Sequence, residues 1–203
     1  QENGRLIKEL GGGVCQVSTT LYQAVLAAEL EVTERYEHSM LVSYVDASKD
    51  AAISEGVKDL KFVNNTDAPI YISGYMDGGV LSFQIIGHET RDPSRTLEYV
   101  SEITNRVEIT IKYELDASMP FGTVEASSGH EGVDAQLYKI TMINGQETLR
   151  EIVNTSYYDM VPETYVLGTG GIDASVLKQL QSAIAANVDP ENVCAIVSGA
   201  NNG

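Results

Sequence analysis

Gly11-Gly12-Gly13-Val14-Cys15-Gln16-Val17-Ser18-Thr19-Thr20-Leu21-Tyr22 decides how the first half of the chain is read. Glycine reaches backbone conformations closed to other residues, so three in a row specify a tight turn or a close approach to the backbone. A cysteine follows at once, and helical spacing begins with it. Val14, Val17, Leu21, Val25 and Ala28 recur every three or four residues, which predicts a helix over 14–30 with one apolar stripe. Cys15, Thr19, Tyr22 and Leu26 fall on another face of that helix. Two starting points are open. Thr20 with Gln23 forms a capping box that leaves Cys15 in the preceding loop, whereas a start near Val14 places Cys15 at the positive end of the helix.

Outward from this helix the periodicity changes to strands. Val32, Tyr36, Leu41, Val42, Tyr44 and Val45 suggest extended segments, and Leu60-Lys61-Phe62-Val63 alternates. Residues 70–75 form a further strand, and Asp77-Gly78-Gly79 turns it back onto residues 80–86. The polar run from His88 to Arg95 contains a proline and reads as a linker, with Arg91 and Asp92 as a surface pair. Beyond it, residues 106–115 alternate cleanly, and Asn144-Gly145 sits between two strand patterns as a strong hairpin signal. Asp173 caps one more helix, lined by Val176, Leu177, Leu180 and Ile184, and residues 192–203 are expected to fray. The expected class is α+β: one helix packed on an antiparallel β meander, then an elongated all-β module and a short C-terminal helix. The expected boundaries are 1–90 for the first domain, 91–96 for the linker, 97–170 for the β module and 171–203 for the terminal helix and tail.

The stretches GGGVCQVSTTLYQAVL, ERYEHSMLVSYV, KDAAIS and LKFVNNTDAPIYISG, in order between Leu10 and Gly87, resemble the vancomycin-resistance W-like (VanW) family. The resemblance implies that this chain starts inside that domain, without the family's upstream part. The resemblance implies a cell-envelope protein of a Gram-positive bacterium and leaves the reaction open. Met119-Pro120-Phe121-Gly122, Gly129, Gly132, Asn144-Gly145 and Val166-Leu167-Gly168 resemble the G-five module over about 97–168. That likeness implies a thin β structure of bacterial surface proteins, with N-acetylglucosamine-containing wall polymers as its partner.

The chemistry the sequence offers centres on Cys15. A thiolate at a helix N-terminus faces the helix's unpaired amides, and a nearby histidine would make it a working nucleophile. His38 is the histidine of the region that follows, and Asp50, or failing that Asp46, could orient its imidazole. The order helix cysteine, histidine, aspartate is that of papain-like and transglutaminase-like enzymes, an analogy of order alone. Against it stands packing, with Cys15 a small core residue, His38 bonded to a loop carbonyl and Asp50 capping a turn. Tyr138, Tyr157, Tyr158 and Tyr165 are the candidates for contact with sugars.

Composition narrows the partners. A formal charge of −16 and a pI near 4.4 repel nucleic acid and anionic membranes. The glycine run lacks the Gly-Lys-Ser/Thr ending that a phosphate loop needs, so neither a nucleotide nor another cofactor is expected. Two cysteines and three histidines match no structural zinc spacing, although Cys15, His38 and Asp50 could converge on a metal. Nor do two cysteines make a disulfide-built scaffold. No apolar run reaches the length of a membrane span, so membrane attachment is expected only through a segment outside this chain. Three readings therefore stand: the favoured one, association with peptidoglycan or related wall glycans; its rival, cysteine-dependent amidase, peptidase or acyl transfer chemistry on wall peptides; and a purely structural link within a larger surface protein.

Overall fold

A computed structural model describes residues 13–199. Gly11 and Gly12, and the end of the tail expected to fray, lie outside the described residues. The class is α+β and mostly β, as the sequence expects. Contacts divide the chain into two compact units, one of residues 13–107 and 132–159, the other of residues 108–131 and 160–199. This division crosses the linear one: the strands on either side of residues 108–131 fold with the segment that begins the chain.

In the first unit, helix α1 spans Val14–Ala27 with Gly13 as its N-cap. Cys15 thus occupies the first turn, and Thr20 donates to the Gln16 carbonyl inside the helix instead of capping it. The helix stops earlier than the expected residue 30. Glu29 takes a left-handed conformation, φ 56°, its amide bonding the Leu26 carbonyl while that of Leu30 reaches Val25. This is a Schellman closure, with glutamate where glycine is usual. The buried face also corrects the expected stripe: Ser18, Thr19, Tyr22, Val25 and Leu26 are buried, whereas Val14 and Val17 are 47% and 43% exposed. Two polar residues go inside because backbone partners await them there.

Strand β1 (Glu31–Glu34) pairs antiparallel with β2 (Lys61–Val63). The 26 or so residues between them are largely irregular, so the extended segments expected around Tyr36 and 41–45 do not form. Their backbone is organised by buried side chains, as described below. β3 (Tyr71–Asp77) and β4 (Val80–Ile86) form the expected hairpin, with φ positive at both Gly78 and Gly79. A three-stranded antiparallel sheet follows in the order β5-β8-β9, made of Arg95–Val107, Gly132–Ile143 and Gln146–Tyr158. Its β8–β9 turn is Asn144-Gly145, both in left-handed conformation. Strand β8 supplies the inner face: Leu137 packs with Tyr22, Leu26 and Ala51, while Val133 and Ala135 pack with Ala47 and Tyr158.

Residues 91–96, expected as a linker, are tied to the end of α1. Arg95 grips both carboxylate oxygens of Glu29 at 2.5 and 2.7 Å, and Arg91 bonds Glu29, Glu89 and the Ala27 carbonyl. Asp92, the partner expected for Arg91, instead caps a turn at Ser94.

The second unit contains β6 (Ile111–Pro120), β7 (Val124–Ser127) and β10 (Glu163–Gly170), with β10 between the other two and parallel to β6. The alternation over 106–115 is therefore interrupted at 108–110 rather than running as one strand. Helix α2 (Ala174–Ala185) is capped by Asp173, as expected. Where fraying was expected, a further helix, α3 (Pro190–Ser198), forms instead. Asp189 caps it, Pro190 begins it and Gly199 ends it. Val193 and Val197 bury its inner face against Leu167 and Leu180.

Candidate functional site

The site is assembled on the first turns of α1 and the segment 35–53. Three side chains of α1 hold that segment in place. Ser18 donates to the Ala51 carbonyl at 2.5 Å, Thr19 accepts from the Ala51 amide at 3.0 Å, and the Cys15 thiol lies 3.6 Å from the Ile53 carbonyl. The polar face of the helix thus supplies hydrogen bonds that a strand ladder would otherwise supply to residues 51–53.

Asp50 is the centre of the arrangement, with no exposed surface. Its Oδ2 accepts from the His38 Nδ1 at 2.6 Å and from the His38 amide at 2.8 Å. Its Oδ1 accepts from the Arg35 Nη2 and the Tyr158 hydroxyl, each at 2.6 Å. Burial pushes the Asp50 carboxyl up, but the bonds from His38 and Tyr158 and the Arg35 charge outweigh it and hold the carboxyl below its ordinary range. An anion with this many donors fixes the ring of His38: Nδ1 carries the proton given to Asp50, which leaves Nε2 as the acceptor of the neutral imidazole. The Tyr44 hydroxyl stands 3.3 Å from that Nε2, with its ring edge-on to the imidazole. Burial raises the Tyr44 hydroxyl above its ordinary value, and the nearby Cys15 adds to the effect, while a bond with Thr19 opposes it. Tyr44 therefore lies near the thiol as well as the ring.

The expected residues meet these positions unequally. His38 and Asp50 are joined directly; no hydrogen bond joins Cys15 to His38, and Tyr44 holds the nitrogen that would make it. Asp46, the other candidate orienter, instead pairs with Lys49 at the surface. A metal reading fails on the donor set, since both Asp50 oxygens are committed to protein donors. Among the described residues, no group of three or more histidines, cysteines or acidic residues converges. Both Cys15 and Cys194 are free thiols, and burial raises the latter.

Arg35, Tyr44 and Tyr158 were not singled out for this site by sequence reasoning. Arg35 lies three residues before His38, inside the same motif, and its low exposure was the missing signal. Tyr158 was a sugar-facing candidate; it is buried. Of the other tyrosines named with it, Tyr165 stacks on Tyr113 and Tyr138 lies under Arg150, leaving Tyr157 as the well-exposed one.

Comparison with known proteins gives two matches along the chain. Residues 1–86 match the family of VanW like proteins, and residues 98–170 match the G5 domain. The uncharacterized protein YoaR of Bacillus subtilis (strain 168) is 43% identical over 76 residues, 37% of this chain and 25% of that protein. The matched stretch thus spans about a quarter of that relative's length. Among solved structures, the G5 domain of IgA1 protease is 26% identical over 37% of this chain and 93% of its own, with a TM-score of 0.28. The G5 domain of HP0197 is 19% identical over 36% and 95%, with a TM-score of 0.21.

Proposed function

Because the chain joins a VanW-like segment to a G5 domain, we propose that it works at the bacterial cell envelope, with Cys15 as the nucleophile of acyl transfer on cell-wall peptides. The observation that supports this most is the buried Asp50 bonded to the His38 Nδ1, on a segment that Cys15, Ser18 and Thr19 hold against the start of α1. A histidine held this way, on the segment that packs against a thiol at a helix N-terminus, is an arrangement suited to covalent catalysis.

The steps follow from the geometry. His38 takes the thiol proton at Nε2, and the Cys15 sulfur attacks a peptide carbonyl carbon. Because Tyr44 stands at that nitrogen, the proton passes through its hydroxyl or moves after its half-exposed ring turns aside. Helix geometry leaves the Val14 and Cys15 amides without intrahelical acceptors, so they can donate to the oxyanion. His38 returns the proton to the leaving amine as the C–N bond breaks, which leaves a thioester on Cys15. Water or a second amine then attacks that thioester, His38 takes its proton, and the C–S bond breaks as the departing Cys15 sulfur recovers that proton from His38. With water the outcome is amidase or endopeptidase activity; with an amine it is peptide exchange. Asp50 stays ionised throughout and stabilises the imidazolium.

A second reading, association with peptidoglycan or N-acetylglucosamine-containing wall glycans, is favoured by the G5 match. The two are separable in one experiment on the full chain. Cys15→Ala is expected to lower release or exchange of wall peptides on the order of a thousandfold while the chain still sediments with purified walls. If the unaltered chain sediments but releases nothing, and Cys15 is alkylated only on unfolding, glycan association stands alone.

A further inference from the structure

Strand β9 lies within the segment that matches the G5 domain, yet three of its residues reach the Asp50 network. Asn154, Ser156 and Tyr158 are two apart, so they share one face of the strand. Asn154 donates to the Tyr22 hydroxyl at 2.8 Å and to the Ser48 carbonyl at 3.1 Å. Ser156 accepts from the Arg35 Nη1 at 2.8 Å, while Arg35 also donates through Nε to the Asp50 carbonyl at 2.7 Å. Tyr158 does two things with one oxygen: it donates to the Asp50 Oδ1 and accepts from the Ser48 amide at 2.7 Å. Ser48 holds a left-handed φ of 63°, a conformation that a non-glycine residue keeps only where its surroundings enforce it.

We propose that Tyr158 is a positioning residue for the Asp50–His38 pair, so that β9 of the G5-matched segment is a working part of the thiol site. The proposal rests on the reading of Cys15, His38 and Asp50 given above. It replaces a separate β arm carrying its own function with a sheet whose inner face sets the charge and angle of the catalytic carboxylate. The titratable and charged groups facing Asp50 are His38, Arg35 and Tyr158. Behind them stand Glu37, 3.6 Å from Arg35, Tyr22 beneath its guanidinium, and Tyr44 with Cys15 beyond the ring. Of these, Tyr158 alone comes from outside the VanW-matched residues. Removing its hydroxyl takes one donor from Asp50 and the acceptor from Ser48, while a phenylalanine ring keeps the packing with Val133 and Ala135.

The test uses the full chain with Cys194→Ser and compares Tyr158→Phe with its parent. His38 ring titration is followed by NMR, and Cys15 alkylation by iodoacetamide is followed against pH. With one fewer donor to its anion, Asp50 should protonate at higher pH. The acid limb of both profiles should move up by about one pH unit, and alkylation near that limb should fall several-fold. Ser156→Ala, which loosens Arg35 without touching Asp50, should move both in the same direction by less. It also serves if Tyr158→Phe does not fold. Tyr157→Phe, 63% exposed on the opposite face, should leave both unchanged. Superimposable profiles in a folded Tyr158→Phe and in Ser156→Ala would overturn the proposal, whatever the melting temperature does. Failure of the cysteine reading would look different: Cys15 inert in the parent itself until unfolding, with the His38 titration still reporting on Tyr158.

Discussion

The β8–β9 hairpin and the irregular segment between β1 and β2 pack together in two core clusters, yet they are held by different means. The hairpin is paired along its length by a ladder set by alternation and by the Asn144-Gly145 turn, with irregularities that skip only Thr148 and Val153. The segment 35–60 has almost no ladder; it is held by Arg35, Ser48 and Asp50 and by Ser18 and Thr19 reaching from α1. Local pattern builds the first region, and long-range polar bonds build the second. The second is therefore where single side chains should matter most, and it is where His38 and Asp50 sit.

The largest effect is expected at Asp50. Asp50→Ala leaves the Arg35 guanidinium, 6% exposed, as a buried charge without its main partner. Breaking a buried pair from one side costs about 3–5 kcal/mol, more than a typical core truncation of similar size. Replacing both partners by apolar groups removes the unpaired charge, so Arg35→Met with Asp50→Leu should cost clearly less than the sum of the two single changes. Urea denaturation of the four chains checks this. Additive costs would mean that the network does not act as a unit, and the contrast between the regions would lose its basis.

The same contrast explains what the sequence revealed. The hairpins at Gly78-Gly79 and Asn144-Gly145, the cap at Asp173 and the helix beginning at Val14 all carry their signals within a few residues. His38 was legible because histidine is rare in this chain and His38 is the one that follows the cysteine helix, and Asp50 because it lies on the next segment, beside Asp46 as the alternative. The inner face of α1 was misread because Ser18 and Thr19 count as polar in any periodicity, although backbone groups 32 or 33 residues away satisfy them. Tyr158 is more distant still, separated by 108 residues from the carboxylate it serves, and no pattern within its own strand distinguishes it from Tyr157. Helix α3 had its signals, Asp189-Pro190 and Gly199, but is short enough for its apolar face to rest on Val193 and Val197.

A smaller effect is expected at Glu29, where the end of α1 meets the cations of Arg91, Arg95 and Lys139. The bond from Arg95 comes first, and with the other charges it overcomes burial to lower the Glu29 carboxyl to about 2. A carboxyl lower in the folded than in the unfolded chain stabilises the fold at pH values above its unfolded value, here near 4.5. That contribution fades as the pH falls toward 2, and Asp50, also lowered, adds to the same trend. Glu29→Gln keeps the left-handed backbone and removes the charge. After allowance for partial exposure, it should cost roughly 1–3 kcal/mol at pH 7, and much less at pH 2. Denaturation at both pH values checks the sign; an equal loss at each would mean that Glu29 acts through shape and not charge.

The smallest effects are expected at glycines, and they sharpen the comparison because glycine occurs in both regions. Gly145 closes the hairpin at φ 78°, and Gly56 lies in the irregular segment at φ 70°. A Cβ on either would meet no atom within 4 Å, so an alanine there would pay only in backbone conformation. Each of Gly145→Ala and Gly56→Ala should therefore cost about 1–2 kcal/mol, and the two costs should agree although one position is regular and the other is not. Equality would place the difference between the regions in their side-chain networks. A much larger loss at Gly56 would show that the irregular segment is held by its backbone turns as well, and that Asp50 is one support among several.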